Sequence, residues 1–62
     1  GAEQIDTIRK TTAAIRRLER TLEEIDGLPR GTVRAGLEAL EALREDLGAL
    51  LERTKAQYAK TA

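Results

Sequence analysis

The spacing of the apolar residues constrains this chain more than any other feature. Ile5, Ile8, Ile15, Leu18, Leu22 and Ile25 are separated by combinations of three and four, which aligns all six on one side of a helix. Val33, Leu37, Leu40, Leu43, Leu47, Leu50, Leu51 and Tyr58 repeat the pattern in the second half. No alternating β pattern runs long enough to compete. The two runs are interrupted once, by Asp26-Gly27-Leu28-Pro29-Arg30-Gly31-Thr32. Gly27 suits a left-handed position just past a helix, with Leu28 folding back as the apolar contact. Pro29 has no N–H and suits the start of the next helix, with Thr32 as the alternative N-cap. A connection this short makes the helices adjacent and antiparallel. The predicted fold class is therefore all-α, an antiparallel two-helix hairpin forming one domain over residues 1–62. Its helices are expected over about 3–26 and 30–60, with the turn over about 27–31.

Written as heptads, Ile8, Ile15 and Leu22 take position a, Thr11, Leu18 and Ile25 position d, and Ile5 and Thr12 position e. In the second helix Val33, Leu40 and Leu47 take a, Gly36, Leu43 and Leu50 take d, and Leu37, Leu51 and Tyr58 take e. Positions a and d are expected to form the seam: Ile8, Ile15, Leu18, Leu22, Ile25, Val33, Leu40, Leu43, Leu47 and Leu50. Folding the chain near residue 29 sets Leu22 beside Gly36 and Leu37, and Leu18 beside Leu40. A Gly inside a helix costs about 1 kcal/mol relative to Ala, so Gly36 at a core position implies close backbone approach near the turn. Toward the open end the core meets Gln4, Thr11, Thr12, Thr54 and Gln57. Polar core positions can fix register at some cost in stability, whereas at Gln4 and Gln57 fraying is expected, and Thr11 fits either reading.

The stripe is broader than one seam can cover. The e column, Ile5, Leu37, Leu51 and Tyr58, is left to face a partner. A chain this short also buries a small fraction of its surface on its own. The hairpin is thus expected to dimerise into a four-helix bundle, two-fold homodimers being the commonest closed assembly. Docking on another helical protein, or on the remainder of a parent chain, is the competing expectation. The start Gly1-Ala2, with no initiator Met, reads as that of a module excised from a longer protein.

Composition narrows the chemistry. The chain has no Cys, His, Met, Phe or Trp, and Ser and Asn are missing too. No disulfide, thiol nucleophile or zinc site follows, and acyl-transfer constellations have neither nucleophile nor base. Acidic residues at Glu38, Glu41, Glu45 and Glu52 are expected to project outward, so no metal or cofactor is expected and no catalytic residue is assigned. Eleven basic and eleven acidic side chains give zero net charge. Arg9, Lys10, Arg16, Arg17 and Arg20 still cluster on the first helix. The alternative function, a small dimeric nucleic-acid-binding regulator, would use Arg9, Arg16, Arg17 and Arg20. Zero net charge and the lack of stacking aromatics weigh against it. Ala35, Ala42, Ala49 and Ala56 recur every seven residues, either as a flat back face for close approach of another helix or, the favoured reading, as good helix formers filling surface positions. The longest apolar run, Gly48-Ala49-Leu50-Leu51, is far too short for a membrane span, and a signal peptide is not evident, so the expected compartment is the cytoplasm.

These readings converge on a non-catalytic oligomerisation or docking module that self-associates through Leu and Ile. In length and hairpin form the chain is similar to small dimeric helical hairpins such as the plasmid regulator Rop and polyketide-synthase docking domains. That similarity is one of architecture and carries no functional residue across.

Overall fold

The computed structural model describes residues 2–61 and contains two α-helices, α1 (Ala2–Glu24) and α2 (Arg30–Thr61), packed side by side as an antiparallel hairpin. α1 ends two residues before the expected limit. The Ile25 N–H donates to the Leu22 carbonyl three residues back, at 3.4 Å, closing the last turn tightly. Gly27 then takes a positive φ of 93°, and this left-handed residue reverses the chain. α2 begins just past Pro29, whose carbonyl accepts the Val33 N–H at 3.1 Å. Pro29 therefore stands at the N-cap and Thr32 lies within the first turn. Leu28, expected to fold back as an apolar contact, remains 38% exposed.

The two helices hold 23 and 32 residues, so α2 runs the length of a rod measuring 50 × 15 × 9 Å. The Cα radius of gyration is 14.8 Å, where a compact domain of this length would have about 10–11 Å. A two-helix rod has no third layer, and its core is correspondingly thin: Ile8 and Ile15 are the buried apolar residues among those described. Leu22, Val33, Leu37, Leu40, Leu47, Leu50 and Leu51 are half-buried around them.

The seam runs one heptad column away from its expected place. In α1 it follows Ile5, Ile8, Thr12, Ile15, Glu19 and Leu22, positions e and a, instead of a and d. In α2 it follows Val33, Leu37, Leu40, Arg44, Leu47, Leu51 and Thr54, again e and a. Leu18, Ile25 and Leu43 are consequently 55%, 48% and 48% exposed, and the hairpin does not enclose them. Ile5, Leu37 and Leu51, expected to face a partner, are partly covered within the hairpin instead. Tyr58 continues the same column but lies level with the very start of α1, which leaves its ring 43% exposed.

Two contacts explain the rotation. Glu19 and Arg44 are the e residues that complete the columns Ile5–Thr12–Glu19 and Leu37–Arg44–Leu51, and they meet across the seam. The Arg44 Nε donates to Glu19 Oε1 at 3.0 Å and its second nitrogen to Oε2 at 3.3 Å. Such a two-point fork ties guanidinium plane to carboxylate plane and so fixes both rotation and level. Near the turn, a Cβ built on Gly36 would lie 2.7 Å from Leu22 Cδ2, so Leu22 sits in space that only Gly leaves free.

Candidate functional site

With the seam located, the rest of each helix divides into two sides. One residue turns an α-helix by about 100°. Thr7, Thr11, Ala14, Leu18, Thr21 and Ile25 fall on one side of the α1 seam; Arg9, Ala13, Arg16, Arg20 and Glu23 fall on the other. On α2, Gly36, Ala39, Leu43, Leu50 and Gln57 fall on one side, and Arg30, Arg34, Glu41, Gly48 and Glu52 on the other. In an antiparallel pair the corresponding sides coincide, and the grooves of the hairpin show it. Arg9, Thr12, Ala13 and Arg16 share a groove with Arg44, Glu45, Gly48 and Leu51, whereas Gln4 shares one with Leu50, Thr54 and Gln57. The hairpin thus has one face charged on both helices and one charge-poor face, whose charges, Arg53 and Lys60 among them, lie along the α2 edge.

The charge-poor face is the candidate site. It gathers Leu18, Ile25 and Leu43, each about half exposed, around Leu50, Gly36 and the small residues Ala14 and Ala39. All three large exposed side chains lie in the half of the rod nearer the turn. Toward the open end the same face carries Thr7, Gln4 and Gln57. Asp46 and Arg53 stand at its α2 margin, and Lys10 and Arg17 at its α1 margin.

Threonine behaves unlike a registering polar residue. Thr54, the most buried polar side chain among those described at 8% exposure, donates its hydroxyl to the Leu50 carbonyl of its own helix at 2.8 Å. Thr7, Thr11 and Thr12 do the same to Glu3, Thr7 and Ile8, at 2.8–2.9 Å. No buried side-chain polar atom among the described residues is left without a partner. Thr11 is exposed rather than a core position, and the expected fraying is not seen: helix continues through Gln4 on α1 and through Gln57 on α2.

The charged face is balanced rather than basic. Its one cross-helix ion pair among the described residues is Glu19–Arg44, with the two side chains 17% and 30% exposed. The carboxylate beside Arg44 raises its guanidinium pKa, first through the hydrogen bond and then through charge attraction, with Glu41 and Glu45 adding smaller contributions. Lys10–Asp6 and Lys55–Glu52 are surface pairs within single helices, at 3.1 and 3.4 Å. Arg9, Arg16 and Arg20 line up on this face at spacings of seven and four, but Arg17 lies a further 100° or so round the helix. Opposite them the groove presents Glu45. The four arginines therefore do not form one uninterrupted basic surface.

Among the described residues no set of three or more acidic or other ligating side chains is placed to hold a metal ion. Among the described residues no helix is long and apolar enough to cross a membrane. Ala35, Ala42 and Ala49 are exposed on the back of α2, while Ala56, also exposed, borders the groove of Gln4, Leu50 and Gln57.

Comparison with protein families, with curated proteins and with solved structures gives no match for the chain.

The Glu19–Arg44 fork is the feature that sequence reasoning missed. Its signal was present: away from the turn, the charged members of the e columns are Glu19 on one helix and Arg44 on the other. Opposite charges at matched places in two apolar columns indicate a cross-seam pair.

Proposed function

We propose that this chain is a non-catalytic self-association module, a helical hairpin that pairs with a second copy to complete a four-helix bundle. The observation that carries the reading is the area left open. The hairpin exposes 4909 Å², whereas a folded monomer of its mass exposes about 4,000 Å². The excess, about 900 Å², is close to the roughly 800 Å² that each partner contributes to a standard interface. The apolar part of that surface is concentrated on one face, where Leu18, Ile25 and Leu43 stand half open within a charge-poor surround. Homodimers of two-fold symmetry are the commonest way to cover such a surface.

The seam also changes which substitution tests the reading. Leu51 belongs to the contact within the hairpin, so Leu51→Glu would unfold the chain and reveal nothing about assembly. Leu18→Glu places a charge on the open face and leaves the seam intact. Sedimentation equilibrium is expected to give twice the 6.8 kDa chain mass for the wild type and the chain mass for Leu18→Glu, with helical circular dichroism retained in both. A wild-type monomer at high micromolar concentration would overturn the proposal.

A further inference from the structure

We infer that the second copy seats on the charge-poor face with both turns at the same end, so that α1 of each chain lies on α2 of the other. The inference rests on the self-association reading and adds the orientation. Two ways of pairing the faces obey two-fold symmetry. An axis along the rod keeps the turns together and stacks α1 on α2; an axis across the rod puts the turns at opposite ends and stacks α1 on α1.

The levels along the rod distinguish them. Leu22 is level with Gly36, Glu19 approaches Arg44, and Gln4 is near Gln57. Together these contacts place Leu18 within one turn of the level of Leu43, Ile25 within one turn of Gly36, and Thr11 within one turn of Leu50. With the turns together, every level meets itself across the interface. Leu18, Ile25 and Leu43 of one copy then lie within a turn of Leu43, Gly36 and Leu18 of the second, so the apolar half of each face meets the apolar half of the other, as close packing requires. With the turns opposed, the apolar half of the face lands on the polar half: Ile25 covers Gln4 and Gly36 covers Gln57. That arrangement desolvates amides with no built partner, a penalty the first arrangement avoids.

The rim charges do not separate the two orientations. Turns together sets Arg17 beside the second copy's Asp46 but Lys10 beside its Arg53, while turns opposed sets Arg17 beside Lys10, and each such exposed contact is weak.

The chain has no Cys, so a single introduced thiol carries a spin label at one place only. Two variants suffice, Arg30→Cys at the turn and Ala59→Cys at the open end, both at exposed positions off the face. Double electron–electron resonance on each labelled homodimer is expected to give distances of about 20–30 Å at both ends, the width of a bundle two helices thick. Distances near the 50 Å rod length at both ends would overturn the orientation while leaving self-association standing. No dipolar coupling at either end would remove self-association itself, and the orientation with it.

Discussion

Ile15 and Leu18 occupy equivalent-looking positions in the heptad pattern, yet they should respond very differently to truncation. Ile15 is 4% exposed and sits between the helices, so Ile15→Ala removes packed methyl groups and leaves a cavity. Substitutions of that kind cost about 2–5 kcal/mol. The whole stability of a chain of this length is only about 3–9 kcal/mol, so Ile15→Ala should remove about half of it. Leu18 is 55% exposed, and a fully buried Leu contributes about 1.5–3 kcal/mol. Less than half of that area is covered within one hairpin, and an open site leaves no cavity, so Leu18→Ala should cost about 1 kcal/mol in the monomer. The two costs should converge when a second copy covers Leu18. Urea melts followed by circular dichroism, run at two concentrations a hundredfold apart, separate the regimes. Dimer formation should stabilise the wild type by up to about 1.4 kcal/mol per chain over that range, because free monomer rises only as the square root of total chain, and Leu18→Ala should abolish most of the gain. Ile15→Ala should be costly at both concentrations. Equal costs for the two substitutions at the lower concentration would falsify the e–a seam and restore an a–d one.

Gly36→Ala should gain about 1 kcal/mol of helix propensity and lose a similar amount by pushing Leu22 from its rotamer, leaving a net change near zero. In a Leu22→Ala background the obstruction is gone, so the same substitution should stabilise by about 1 kcal/mol; a double-mutant cycle with no coupling would contradict the 2.7 Å approach. Glu19→Leu alone should lower the melting temperature by leaving Arg44 without its fork, while Glu19→Leu with Arg44→Leu should restore it. If the double variant melts no higher than Glu19→Leu alone, the pair is not what penalises the single change. The pKa of Arg44 is raised by folding, so its contribution is fully present below the ordinary guanidinium range and is lost only as pH rises through the still higher folded value. Wild type and Arg44→Lys should therefore differ in stability by a constant amount from neutral pH to pH 9; a difference that changes across that range would contradict the assignment.

The hairpin itself was legible because its signals agree. Threes and fours in the spacing, one Gly at a left-handed position and a Pro just before the second helix all specify two helices and a short reversal. The rotation of the helices about their axes was not legible from apolar spacing. Three adjacent columns, e, a and d, each carry Leu or Ile, and two helices can bury only two of the three. Column d offers Leu18, Ile25, Leu43 and Leu50; column e offers Ile5, Leu37 and Leu51 but also Glu19 and Arg44. Counting hydrophobic side chains favours d, and a charged pair that satisfies itself across the seam tips the choice to e. The exposed face is the complement of that choice, so an error of one column in the seam moves the whole candidate site to the opposite side of the rod.

The threonine hydroxyls have one more consequence. Thr7, Thr11, Thr12 and Thr54 each turn their oxygen back onto a carbonyl four residues earlier, and Thr61 reaches both Gln57 and Tyr58 in the same manner. An oxygen already engaged by its own backbone asks little of a neighbour, and what remains to meet one is chiefly the γ-methyl. These residues impersonate valine. Hydropathy scales therefore overstate how wet this rod is, and contact with Thr7 or Thr11 would exclude water from a surface that the sequence alone describes as hydroxylated.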